Sequence, residues 1–158
     1  MRYLTHLIFG FVVYLLVLQF LNFEYTLLSL LISLPLVLLG SLFPDIDYHK
    51  SKLGKYFFYI NYGVTHRGIL HSVFGVSFLL VLYLFLNSLT SIPAYLIAYF
   101  LIGVISHISL DALTKRGIQP LYPLKWKIHG PFRTGKLGEK VLFVLFLISI
   151  PLIVYYGG

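Results

Sequence analysis

Ile92-Pro93-Ala94-Tyr95-Leu96-Ile97-Ala98-Tyr99-Phe100-Leu101-Ile102-Gly103-Val104-Ile105 runs for fourteen residues without a charge and then meets Ser106-His107-Ile108-Ser109-Leu110-Asp111. Such a run signals a membrane helix, with the flanks supplying the rest of the roughly 20 residues that cross the hydrocarbon. The pattern recurs at Leu7 to Leu21, Tyr25 to Phe43, Val73 to Leu86 and Val141 to Tyr156. Asp, Glu, Lys and Arg make up 11% of the 158 residues and hydrophobic residues 59%. Soluble domains carry about 25% charged residues, and a globule this poor in charge would leave large apolar patches in water. The chain reads as an all-α polytopic membrane protein with about five transmembrane helices, one domain over residues 1–158.

Asn22-Phe23-Glu24 and Asn87 to Ser91 read as tight polar turns, which makes antiparallel hairpins of segments one/two and three/four. Gly40 to Ser72 and Ser106 to Lys140 are longer connections. An odd number of spans puts the N-terminus and both long connections on one face. All twelve basic residues fall there: Arg2, Lys50, Lys52, Lys55, Arg67, Lys115, Arg116, Lys125, Lys127, Arg133, Lys136 and Lys140. By the positive-inside rule that face is cytoplasmic, giving an N-in, C-out topology. The same sorting accounts for the net charge of +7 without a nucleic-acid partner. Leu18 to Tyr25 holds no small-residue cleavage site, so the first segment is expected to be a retained helix. With no cysteine in the chain, disulfides, thiolate nucleophiles and Cys-based zinc sites are excluded.

Positive-inside sorting says nothing about His or Asp, yet all six histidines and four of the five acids share that face. His107 and Asp111, four apart, project from one side of a helix, a spacing at which imidazole and carboxylate reach one ion. With the helix starting near Pro93, His107 lies about 21 Å along it, at the interface, where an unpartnered ionisable pair is costly. The plainer reading is a His–Asp hydrogen bond that fixes a helix end. His6 opens the first segment at a similar depth and gains weight only from its company.

In Phe43-Pro44-Asp45-Ile46-Asp47 the proline is expected to end the second helix, and the two carboxylates after it offer hard oxygen ligands. Capping, or a salt bridge to Lys50 or Lys52, is the alternative, although capping needs one Asp rather than two. His66 and His71, in Thr65-His66-Arg67-Gly68-Ile69-Leu70-His71-Ser72, are five apart, which is not a clean helical ligand pair. Either they serve different metals or one is a ligand and the other an acid or base. Arg67 suits a phosphate or carboxylate in bidentate fashion, or is one more positive-inside charge. Together His6, Asp45, Asp47, His66, His71, His107 and Asp111 offer a mixed ligand set for one or two divalent ions, Zn first and Mn or Fe also suited, of the kind that supports hydrolysis. No HExxH, GxSxG or P-loop occurs.

At these residues the sequence resembles the YdjM-like family of inner-membrane, metal-dependent hydrolases, whose members are described as LexA-regulated, a property of gene expression. The matching stretches are Thr5-His6-Leu7, Phe43 to Asp47 continuing through Lys50-Ser51-Lys52-Leu53-Gly54, His66 to Ser72, and Ser106-His107 to Asp111. Thr114, Gly117, Leu121, Pro123, Trp126, Gly135 and Glu139 continue the pattern, so the resemblance covers nearly the whole chain. It implies a membrane-bound hydrolase with those His and Asp residues as its metal site. More distantly, the order of His and Asp elements is similar to the zinc-dependent phospholipase C and nuclease family, which implies phosphoester cleavage. This sequence departs from that pattern in lacking an N-terminal tryptophan ligand and a second HxxxE, with His129 and Glu139 ten apart.

The expected function is hydrolysis of a lipid or other interfacial phosphoester at the cytoplasmic face of the inner membrane. The expected catalytic residues are Asp47 and His71 for proton transfer and Arg67 for the phosphate. The basic loop from Lys115 to Lys136, with Trp126 as interface anchor, is expected to attract anionic headgroups, which makes membrane lipids the partners. A metal-ion or small-solute transporter is the second reading and a non-catalytic membrane metal-binding protein the third. Against transport, the ligands gather at one face rather than at a midplane, and no internal repeat is visible.

Overall fold

Pro93 sits at the N-cap of the helix formed by the central stretch, where a missing N–H is of no consequence, and that helix runs Ala94–Ala112. The computed structural model describes residues 1–21, 26–48, 50–56, 67–90 and 93–157. They form five α-helices: α1 (Tyr3–Phe20), α2 (Leu27–Gly40), α3 (Val73–Thr90), α4 (Ala94–Ala112) and α5 (Leu137–Gly157). Short 3-10 turns lie at Phe43–Asp47, Gly54–Tyr56 and Ile69–His71. Among the described residues there is no strand, only isolated bridges pairing Thr114 with Phe132 and Ile118 with Ile128.

Large apolar side chains on every helix face outward, among them Leu16, Leu31, Phe78, Tyr95 and Ile148. Lipid solvates such a surface and water does not. Three stretches are long and apolar enough to cross a membrane, Tyr3–Phe20, Tyr95–Ala112 and Leu137–Tyr156, while Leu27–Gly40 and Val73–Leu89 are apolar but shorter.

Two boundaries differ from expectation. Asn87 to Thr90 are the last turn of α3 rather than a connection: Ser88 Oγ donates to the Phe85 carbonyl at 2.6 Å, so a turn-prone residue is used within the helix. The turn expected at 22–24 lies outside the described residues. Pro44 does not end α2, which stops at Gly40; the chain tightens through Ser41 and Leu42, and Pro44 opens the following 3-10 turn.

Packing centres on α4, which lies against α2 and α1, with α5 on the far side of α1 and α3 more lightly applied. Glycine permits the closest approach. A Cβ on Gly103 would stand 2.1 Å from the Val37 carbonyl oxygen, and one on Gly40 would stand 2.1 Å from that of Phe100, so the backbones of α2 and α4 touch. Below this crossing Tyr14, Leu18 and Val37 form a buried cluster with Phe11, Leu34, Tyr99 and Ile102 around it. The Tyr14 phenol is satisfied by Ser33 Oγ at 2.6 Å.

Candidate metal centre

The end of the bundle where α1 and α5 begin and α4 finishes collects the polar residues. Crossing at Gly40 and Gly103 delivers the Ser41 carbonyl to His107, whose Nδ1 it meets at 2.7 Å. A carbonyl only accepts, so in the neutral ring Nδ1 carries the proton and Nε2 presents a lone pair. That lone pair faces two carboxylates, 3.6 Å from Asp45 Oδ1 and 3.9 Å from Asp111 Oδ2, with no hydrogen-bond partner. His71 Nε2 stands 3.8 Å from the same two oxygens.

Asp45, His71, His107 and Asp111 thus each offer an atom within 4.8 Å of the others. Ligand distances of about 2.0–2.1 Å place the atoms of a tetrahedral N/O site about 3.4 Å apart, slightly closer than the spacings here. Arg67 and the Met1 α-amino group offset the charge of Asp111, but the His107 lone pair and the Asp45 carboxylate still converge and repel unless a cation stands between them, and this N/O donor set fits a divalent ion. Three of the four are buried to 1% exposure or less. Asp45, at 19%, is the edge that reaches the surface. Among the described residues its carboxylate is the one in the cluster that faces both the two imidazoles and the outside.

Around the four stand the remaining candidates. His6 is fully buried, stacked on the His107 ring at 3.8 Å, with Nε2 3.4 Å from Asp111 Oδ1. Asp47 lies behind His71, its Oδ2 3.9 Å from Nδ1, the ring nitrogen turned away from the cluster. In metal sites a carboxylate on this side of an imidazole orients the ring. Arg67, read from sequence as a phosphate holder, has its guanidinium on the cluster itself. Nη2 meets Asp111 Oδ2 at 2.6 Å, and Nη1 donates to Thr114 Oγ1 at 3.0 Å and to the Gly117 carbonyl at 2.9 Å. These contacts hold its backbone at φ 64°. Asp111 also meets the Met1 α-amino group at 2.6 Å. His66 lies outside the described residues, and His129 is exposed on the loop before α5.

The roles of two contributors, Ser41 and Glu139, the second known from sequence only as part of the family pattern, escape a reading of the sequence. Ser41 acts through its backbone carbonyl, which no side chain announces. Glu139, buried on the first turn of α5, accepts from the Arg2 N–H at 2.5 Å, from Thr5 Oγ1 at 2.9 Å and from the Gly135 N–H. It satisfies donors at the start of α1 and of its own helix, and so fixes the turn of α1 that carries His6. An acid at the third helical residue after a glycine turn was the available signal.

Residues 1–157 match the family described as YdjM inner membrane protein. The chain is 34% identical over 112 residues to the inner membrane protein YdjM of Escherichia coli (strain K12), a match covering 68% of this chain and 57% of that protein, and the counterpart in Shigella flexneri gives the same figures. It is 35% identical over 106 residues to the uncharacterized protein YvsG of Bacillus subtilis (strain 168), covering 65% of this chain and 66% of that protein. The matched region thus spans less than two thirds of each relative. No solved structure matches, so the likeness to phospholipase C rests on motif order alone.

Proposed function

We propose that this chain, which belongs to the YdjM family of inner membrane proteins, is a metal-dependent hydrolase that holds a divalent ion between Asp45, His71, His107 and Asp111 and cleaves a phosphoester at the membrane surface. The observation that carries the reading is the buried His107 Nε2, its tautomer set by the Ser41 carbonyl and its lone pair aimed between two carboxylates. Zn suits this N/O set first, with Mn or Fe also compatible, and His6 and Asp47 flank it where a second ion would need ligands.

When bound, such an ion supplies an acidified water and positive charge against a phosphoryl oxygen. The chain's own residues do the rest. His71 and His107 present Nε2, the first backed by Asp47 and the second by Ser41. Arg67 and Thr114 hold Asp111 in register, so Arg67 acts as a positioning residue. Asp47, at the margin of the cluster, takes the proton released on hydrolysis. A cluster at helix ends, rather than midway along broken helices, favours this reading over transport. The segments meeting there carry Lys and Arg residues, and by the positive-inside rule that charge supports a site at the cytoplasmic face.

The test is elemental analysis of the detergent-purified chain beside Asp45→Asn and His107→Ala, followed by phosphoester turnover. One or two equivalents of metal, lost in both variants together with turnover, is the expected result. A metal-free wild type after repletion, or full turnover in both variants, overturns the reading.

A further inference from the structure

Among the described residues the cluster meets the surface at Asp45, and the surface there is built from a segment the metal site does not use. A cleft of about 430 Å³ reaches Asp45 and is lined by Arg2, Tyr3, Lys50, Lys52 and Lys55. Its wall is a folded loop. Ser51 Oγ donates to the Asp45 carbonyl at 2.7 Å and accepts from the Gly54 N–H at 2.8 Å, so the lysine-bearing turn is fastened to the backbone of the ligand itself. Gly54 allows this, since a Cβ there would lie 2.1 Å from the Tyr48 carbonyl oxygen. Lys52 is carried over the Tyr3 ring, its Nζ 4.8 Å from the centroid, at the start of α1.

Three lysines therefore line a cavity that also reaches Asp45, the exposed edge of the cluster, while the Arg2 guanidinium lies beside Gly135. Lys115, Arg116, Lys125, Lys127, Arg133 and Lys136, expected from sequence to recruit anions, are exposed elsewhere and none lines it. Positive-inside sorting places Lys and Arg on a face; it does not gather three lysines along one cleft beside a carboxylate.

We propose that this cleft binds a phosphate group, carried by a lipid headgroup or by a free phosphoester, and delivers it to the Asp45 edge of the cluster. Delivery for cleavage rests on the hydrolase reading above; binding does not. The phosphate oxygens take the ammonium groups of Lys50 and Lys52, joined by that of Lys55 as it leaves the Tyr56 ring, over which it rests at 4.6 Å.

The test is calorimetric titration of the full chain in neutral detergent with dihexanoyl phosphatidic acid, with inorganic phosphate and with dihexanoyl phosphatidylcholine, alongside metal content. The cleft variant is Lys50→Gln/Lys52→Gln/Lys55→Gln; the control, Lys125→Gln/Lys127→Gln/Arg133→Gln, removes the same charge outside the cleft. The cleft variant is expected to weaken phosphatidic acid binding by about tenfold or more while the control stays within about twofold. Phosphatidic acid bound far more tightly than inorganic phosphate assigns the cleft to a lipid headgroup; comparable binding assigns it to a free phosphate group. Absence of binding by both anions, equal losses in the two variants, or equal binding of the phosphatidylcholine overturns the proposal. Lysine-dependent anion binding by a chain that holds no metal would sink the hydrolase reading and leave the cleft standing. Metal retained by a chain that binds no phosphate would do the reverse.

Discussion

Replacing Gly103 by alanine adds one methyl group where three backbone atoms wait: it would lie 2.1 Å from the Val37 oxygen, 2.7 Å from the Ser41 nitrogen and 2.9 Å from the Gly40 carbonyl carbon. No side chain can rotate to make room, so α2 and α4 must part by about 1 Å to restore ordinary contact. The Ser41 carbonyl moves with α2, and its 2.7 Å bond to His107 Nδ1 lengthens past hydrogen-bonding range. Leaving that buried pair unmade costs about 1–3 kcal/mol, and losing the group that orients a metal-binding imidazole lowers metal affinity by about 10–100-fold. Thermal unfolding in detergent reads the first quantity and competition against a chelator the second. A Gly103→Ala protein with wild-type melting temperature and metal affinity would refute the argument, because the helices could not then meet as described.

Asp45→Asn should abolish metal binding, whereas Asp47→Asn should retain the stoichiometry and weaken affinity by about 10–100-fold; equal behaviour of the two in a chelator titration would dissolve the distinction between ligand and support. Arg67→Lys keeps the charge but cannot hold Asp111, Thr114 and Gly117 together, so a comparable loss of metal affinity is expected, and wild-type affinity would show that charge alone suffices. Glu139→Gln replaces one acceptor by a donor facing backbone N–H groups and should destabilise by about 1–3 kcal/mol, seen as a lowered melting temperature; an unchanged melting temperature would remove the acid from any role at the start of α1. Tyr14→Phe strands Ser33 Oγ at a cost of about 1 kcal/mol and should leave metal content untouched, which separates damage to the bundle from damage to the site.

The helices were legible because apolar runs in a charge-poor chain have few alternatives. Asn87 and Ser88 misled because their turn preference is a local bias, overridden when a helix can continue through lipid. His107 and Asp111 were legible as a pair since helical spacing puts them on one face regardless of context. Asp45 and Asp47 were not separable: in a 3-10 helix, which winds three residues to the turn, an i, i+2 pair points in different directions, and only the position of His71 decides which one faces the cluster. Arg67 could be assigned to an anion by its chemistry, but the anion it meets is Asp111, forty-four positions away, and no spacing rule connects them. Lysines 50, 52 and 55 carry the same charge as those on the later loop, so composition alone could not tell a cleft wall from a solvated surface.

Glu139 bridges residues more than 130 positions apart, reaching from the last helix to the first residues of the chain. The four residues of the proposed cluster all precede Glu139 in the chain, so the acid can govern the site only by holding the turn of α1 that carries His6 against the others. If the cluster holds an ion as proposed, Glu139→Gln should leave every ligand in place and still speed loss of the ion to a chelator.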